Sequence, residues 1–326
     1  MQVASHLDQP LSPHVEKRFP DGESYLRSDV NVRGGDVYVI YSLYTDENQK
    51  AGEKIHDLLQ FIGSLKDASA KKVTLVCPYL AYSRQDRKTE SRAPIGTKYI
   101  AQQLESMGVN RLLTMDIHNL AAFQNAFRIP TDNLEVKNLF VDYLCGGYDR
   151  HGLKITDCVE DPLENTPSEL TIVSPDVGGM GRVRRMRNAL EKRLKGCSIK
   201  TAYVDKERAG DAVHGSEIVG DVEGRRCLIL DDMIASGSTI QISMNAVENH
   251  GGDPWAVCAT HGFFTGAATE KLEKVKKLII ADTIPPFRLP EDWQKNRLSV
   301  INTTKMTAQA IRRIHEGSGS ISDLLK

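Results

Sequence analysis

Short apolar runs of β type recur at residues 37–43, 73–78, 112–117, 170–174, 199–204, 227–230, 256–260 and 278–281, and stretches with the spacing of amphipathic helices separate most of them. That alternation predicts βαβ units with parallel sheets. The runs form two series, one before about residue 145 and one after about residue 170, so two similar α/β halves are expected. No internal sequence repeat is strong enough to prove a duplication. Leu228, Ile229 and Leu230 make a run short enough for a central strand, and the segment from Ile240 reads as the helix that follows.

Between the halves, residues 145–169 carry Gly146, Gly147, Gly152, Pro162 and Pro167 among many acidic residues, the composition of a linker or surface insertion. The expected organisation is an N-terminal domain over 1–145, a linker over 146–169 and a C-terminal domain over 170–297. A strand at 298–302 and a helix at 304–315 follow, and the Glu-Gly-Ser-Gly-Ser tail at 316–320 is expected to fray.

Composition narrows the function classes. Two domains of ordinary size suit 326 residues, one large α/β domain being the alternative. Lys and Arg total 42 against 43 Asp and Glu, which lacks the bias expected of a nucleic-acid binder. No apolar run reaches the roughly 18 residues of a membrane span, and the N-terminus has no signal-peptide pattern. A soluble cytoplasmic protein with no nucleic-acid or membrane partner is expected. The six cysteines show no Cys-x-x-Cys spacing and several sit in strand-like runs, so neither zinc nor a disulfide framework is suggested.

The candidate chemistry lies at strand ends and in loops, where open α/β sheets place ligands. After the run at 227–230 come Asp231 and Asp232, and then Ala235, Ser236, Gly237, Ser238 and Thr239 at the start of a helix. Unpaired N–H groups, the helix dipole and the hydroxyls of Ser236, Ser238 and Thr239 can surround one phosphate, which leaves the two carboxylates for hydroxyls or a metal. Arg84, Arg87 and Lys88 pack three cations into a five-residue loop, a density that suits polyphosphate. Pro94 then starts a helix. Asp116 and His118 fall on one side of an extended strand end. Asp176 and two glycines follow the strand at 170–174 and precede a helix with Arg182, Arg184, Arg185 and Arg187. Asp205 to Gly210 leads a polar stretch ending near Gly220, the character of a loop that closes over substrate. Each segment alone also fits a plainer role: a Gly/Ser turn, a solvated basic loop, a structural histidine, an Asp-capped helix or a surface loop.

Taken together, Phe-Pro-Asp-Gly-Glu at 19–23, the loop at 82–94, Met-Asp-Ile-His at 115–118, the segment at 174–179, Lys-Glu-Arg at 206–208, 220–225, 231–239, 259–262 and 282–285 resemble the ribose-phosphate pyrophosphokinase family in matching order over nearly the whole chain. The resemblance implies two tandem phosphoribosyltransferase-type α/β domains, each with a mainly parallel central sheet flanked by helices, and a segment at about 298–326 packing back on the first. The implied reaction moves the β,γ-pyrophosphoryl group of ATP to the C1 hydroxyl of ribose 5-phosphate, with Mg²⁺ required. By resemblance Lys206 and Arg208 are catalytic, Arg84 and Gln85 contact ATP, and Phe19, Asp21 and Glu23 complete the ATP pocket of a neighbouring subunit in a homo-oligomer. Asp231, Asp232 and the loop Ala235, Ser236, Gly237, Ser238 and Thr239 hold ribose 5-phosphate, and His118 and Asp176 match Mg²⁺ positions. Thr89 and Ala235 stand where many members have Asp, and Glu207 where a third basic residue is common. A phosphoribosyltransferase acting on a base and a catalytically silent regulatory subunit are the alternatives. The first does not explain Phe19, Asp21 and Glu23 or Arg84 to Lys88; the intact Lys206 and Arg208 argue against the second, and Ala235 argues for it.

Overall fold

The computed structural model describes residues 2–146, 169–194, 198–209 and 212–325, with the backbone alone at 206–209, 212–216 and 325. The expected linker falls almost wholly outside these residues. The chain forms two compact units, one built from residues up to Glu135 and from Thr304 on, the other from Val136–Thr303.

In the first unit, α1 (Gln2–His6) and an antiparallel hairpin of β1 (His14–Arg18) and β2 (Ser24–Ser28) precede β3 (Asp36–Ile40). Then come α2 (Ala51–Asp67), β4 (Lys72–Cys77), α3 (Gly96–Ser106), β5 (Arg111–Met115), α4 (Leu120–Ala126) and β6 (Thr131–Leu134). β3 to β6 form a parallel sheet in simple sequence order. Val73, Leu75, Val76, Leu112 and Leu113 are fully buried, which is why the two central strands read as apolar runs. On α2 the buried Ile55, Leu58, Ile62 and Leu65 recur at spacings of three and four and form its core face. The Glu53 carboxylate accepts from the Lys50 N–H at 3.2 Å and satisfies one donor at the start of that helix.

The second unit holds α5 (Lys137–Leu144), β7 (Leu170–Ser174), α6 (Met180–Arg193), β8 (Lys200–Ala209), β9 (Ala212–Val219) and β10 (Arg226–Ile234). It continues with α7 (Ser238–Asn249), β11 (Asp253–Gly262), α8 (Ala268–Lys271), β12 (Leu278–Ala281), α9 (Glu291–Asn296) and β13 (Leu298–Ile301). Its sheet runs β13-β12-β11-β10-β7-β8-β9 and is parallel except for β9. Ile229, Val257 and Ile280 meet Met244 and Val247 of α7 and Leu272 in its core. The loop expected from Asp205 to Gly220 is instead a β-hairpin, with Asp205 opposite Glu217 and a register shift after Glu207. Main-chain pairing supplies the hydrogen bonds there, and that needs no apolar pattern in the sequence.

α10 (Thr304–Glu316) returns to the first unit, where the Arg312 guanidinium donates to the His6 carbonyl at 3.2 Å and His315 lies 3.9 Å from Asp36. The tail at 316–320, expected to fray, is exposed throughout. The Arg313 guanidinium donates to the Ser320 carbonyl, and a 3₁₀ turn follows at Ile321–Leu325. Among the described residues no helix is long and apolar enough to cross a membrane. Cys77, Cys145, Cys227 and Cys258 are buried free thiols, and burial pushes the Cys227 thiol up to about 12. Cys158 and Cys197 lie outside the described residues.

One carboxylate anchors the exposed β1–β2 hairpin. Asp57 of α2 is 4% exposed and accepts from Ser24 Oγ, from Gln49 Nε2 at 2.6 Å and from Arg18 at 3.5 Å. Asp57→Ala leaves three donors without that acceptor, a loss of about 1–3 kcal/mol. Amide hydrogen exchange is expected to speed up across residues 14–28 while β4 and β5 keep their protection; unchanged exchange in the hairpin would show that Asp57 does not hold it.

Candidate active site

The strand order of the second sheet reverses direction between β7 and β10. From β7 the chain steps to β8 and β9 on one side, and β10 to β13 then fill the other. In open parallel sheets the crevice at the carboxyl ends of the strands beside such a switch is where ligands bind. Asp176 follows β7, and Asp231 to Thr239 occupy the end of β10 and the turn after it. The sheet thus brings these residues to one edge.

β10 runs four residues beyond Leu230, so Asp231 and Asp232 lie within the strand rather than after it. Asp232 is 3% exposed, and its backbone N–H donates to Asp231 Oδ1 at 2.8 Å. Arg182 on α6 reaches both carboxylates, each at 3.4 Å. Two carboxyl groups this close, one buried and one half-buried, are held together by such a cation. Burial, and then the charge of Asp232, push the Asp231 carboxyl well above the ordinary carboxylate range, while Arg182 works in the other direction.

Gly237 adopts φ +77° at the N-cap of α7. A Cβ there would come 3.1 Å from Leu272 Cγ and 3.4 Å from the Ala268 carbonyl oxygen, so only glycine lets the turn lie against α8. Ser236 Oγ is 3.1 Å from Ser238 Oγ, and Lys271 Nζ donates to Ser238 Oγ at 2.7 Å. The Ala235 carbonyl accepts from the Thr265 N–H at 2.9 Å, and the Thr239 carbonyl from Ser243 Oγ at 2.9 Å.

Asp176 is exposed, and its Oδ1 accepts from the Gly179 N–H at 3.1 Å, capping the 3₁₀ turn Val177–Gly179 that leads into α6. Lys206 and Arg208 lie on β8 opposite Ser216 and Val213 of β9. In the first unit the structure places the other expected residues. Phe19, Asp21 and Glu23 are exposed at the tip of the β1–β2 hairpin, where Asp21 Oδ1 accepts from the Glu23 N–H at 3.1 Å. Arg84 and Gln85 are exposed in the loop before α3, which begins at Gly96, two residues later than Pro94 suggested. Asp86 accepts from Asn119 Nδ2 at 2.6 Å, and Asn119 caps α4, so this loop is tied to the segment carrying His118. The extended end expected for Asp116 and His118 is not found: β5 stops at Met115 and Asp116 turns to φ +36°.

A family model for the N-terminal domain of ribose phosphate pyrophosphokinase matches residues 1–108, and one for the phosphoribosyl synthetase-associated domain matches residues 205–326. The ribose-phosphate pyrophosphokinase of Hyphomonas neptunium is 37% identical over 316 residues, 96% of this chain and 91% of that protein. The chain belongs to the ribose-phosphate pyrophosphokinase family. Ribose-phosphate pyrophosphokinase 1 of Streptococcus pyogenes is 35% identical over 320 residues, covering 97% of this chain and 90% of that one. The crystal structure of phosphoribosylpyrophosphate synthetase from Mycobacterium smegmatis superposes with a TM-score of 0.79 at 28% identity, over 97% of this chain and 95% of its own. The fold is that of this family, with a mainly parallel sheet flanked by helices in each unit.

For this family member the sequence reading missed two residues next to the expected site. Arg182 was one of four arginines on a helix, and helical spacing from Asp176 alone did not say which reaches β10. Lys271 lies 33 residues from Ser238, and no local pattern marks it. In the Ala-Thr-His-Gly segment at 259–262, His261 is 2% exposed, with Nδ1 2.9 Å from Thr283 Oγ1, and that hydroxyl donates to the Thr260 carbonyl at 3.0 Å.

The raised Asp231 carboxyl gives a pH signature. Its contribution to stability is present below the unfolded carboxylate value of about 4 and is lost as pH rises through the raised folded value. Asp231→Asn removes that loss together with the repulsion from Asp232. The Tm of the variant minus that of the wild type is expected to increase between pH 5 and pH 8, as read by thermal unfolding in ~0.1 M salt; a flat or falling difference contradicts the assignment.

Proposed function

We propose that the protein transfers the β,γ-diphosphoryl group of ATP to the C1 hydroxyl of ribose 5-phosphate, giving phosphoribosyl pyrophosphate and AMP. What supports this reading above all is the paired carboxylates and hydroxyl-rich turn at the switch point of the second sheet, in a chain 37% identical to a ribose-phosphate pyrophosphokinase. The C1 oxygen attacks Pβ, the bond from Pβ to the oxygen bridging it to Pα breaks, that oxygen leaves on AMP, and the hydroxyl proton is released.

The residues take their roles from their chemistry. Asp231 and Asp232 accept from the ring hydroxyls, with Arg182 keeping the pair in place. The N–H groups and hydroxyls of Ser236, Ser238 and Thr239 take the 5-phosphate at the start of α7. Lys206 and Arg208 neutralise charge on the non-bridging phosphoryl oxygens, which in-line transfer at phosphorus requires. Arg84 and Gln85 hold ATP, and Phe19, Asp21 and Glu23 complete the adenine and ribose pocket of a neighbouring subunit in a homo-oligomer. Their exposure at a hairpin tip fits that role.

Mg²⁺ is the proposed metal. Asp176 is exposed and has spent one oxygen on its cap, and His118 is also exposed. Among the described residues no three His, Cys, Asp or Glu side chains form a cage. The exposed Asp176 carboxylate suits an ion that completes its shell with water and substrate phosphates; the His118 imidazole is a less usual neighbour for a hard cation. When bound, Mg²⁺ supplies charge neutralisation on the phosphates; Asp176 in the second unit and His118 in the first would each serve as one Mg²⁺ position.

Incubation with ATP, ribose 5-phosphate and Mg²⁺ is expected to yield AMP and phosphoribosyl pyrophosphate in equal amounts. Lys206→Ala should cut turnover about 10²- to 10³-fold with little change in ribose 5-phosphate binding. Nucleotide binding without turnover would instead favour a silent regulatory subunit, the reading to which Ala235 lends itself.

A further inference from the structure

Lys271 closes α8, whose Ala268 and Leu272 neighbours are fully buried against the turn at Gly237. The packing that requires glycine at 237 therefore also fixes the backbone from which Lys271 extends. Its ammonium donates to Ser238 Oγ at 2.7 Å. Among the described residues, no carboxylate pairs with it.

The hydrogen-bond inventory around Ser238 follows from donor counting. An ammonium only donates, so Ser238 Oγ accepts from Lys271 and keeps its own hydrogen. Ser236 Oγ lies 3.1 Å away. If Ser238 donates to Ser236, the Ser236 hydrogen is left to point outward; if Ser236 donates to Ser238, the Ser238 hydrogen is. Either arrangement leaves one O–H donor for an outside acceptor, beside a cation that retains two further donors. Asp231 and Asp232, seven and six positions before Ser238, already have Arg182 as counter-cation. The cationic charge of Lys271 is thus left for a ligand.

We infer that Lys271 is the charge partner of the sugar 5-phosphate, positioning the Ser236–Ser238 hydroxyls and neutralising the phosphate they receive. This rests on the reading of the turn at 235–239 as the ribose 5-phosphate site. A sugar phosphate near pH 7 carries a charge of about −1.5 to −2, and the N–H groups of α7 supply only partial charges against it.

Calorimetric binding of ribose 5-phosphate to the full chain tests the inference with wild type, Lys271→Met and Lys271→Arg. Lys271→Met is expected to bind about 10- to 100-fold more weakly, Lys271→Arg to recover most of the loss, and the gap to narrow as salt is raised. Lost packing alone would not respond to salt. Wild type and Lys271→Met binding equally well overturns the role of Lys271 and leaves the site standing. An arginine variant as weak as the methionine variant overturns the charge argument. No binding by the wild type overturns the site reading and this inference together. If Lys271→Met does not fold, Lys271→Gln makes the same comparison.

Discussion

Two adjacent carboxylates at the centre of a buried sheet are the constraint around which the second unit is arranged. Carboxylates removed from water require a counter-charge within a few ångströms, and removing one partner of such a pair is far more costly than forming it was beneficial. Arg182 meets that demand at 3.4 Å from each carboxylate. Its position is set upstream: Ser174 Oγ donates to the Asp176 carbonyl at 2.6 Å, Asp176 caps the turn, and Gly179 allows that turn to close on Ser174. A Cβ at Gly179 would come 2.3 Å from Ser174 Oγ. One tightly built turn after β7 therefore delivers both an exposed carboxylate and the cation that makes the β10 carboxylates tolerable.

The same segment separates charge along its length. Its first part is two carboxylates balanced by one guanidinium, and its last part is hydroxyls, helix N–H groups and an ammonium. A sugar phosphate has the complementary distribution, with hydroxyl donors around the ring and an anion at one end. Orientation of such a ligand follows from polarity alone, and Ala235 between the two parts adds no charge to either.

Much of this was legible in the sequence, because apolar runs report burial directly. The strands at 170–174 and 278–281 were read to the residue, since Leu170 to Ser174 and Leu278 to Ala281 are buried throughout. The hairpins were not. His14 to Arg18 is exposed or half-buried, and the run at 199–204 marks only the first half of β8, whose Ala202 and Val204 are buried in the core; its polar remainder pairs with β9 through the main chain. The motif at 231–239 was visible because its residues are contiguous. Arg182 and Lys271 reach it from α6 and α8, and no spacing rule connects residues 33 or 49 positions apart.

The return of α10 to the first unit has a consequence for how the chain is made. β3 to β6 can pair as soon as they are synthesised, but the contacts of Asp36 with His315 and of His6 with Arg312 join residues separated by nearly the whole chain. During synthesis the second unit has all its strands before the first unit has all its helices. The first half to appear is the last to be complete, and until then the side of it that α10 covers must be kept from other chains.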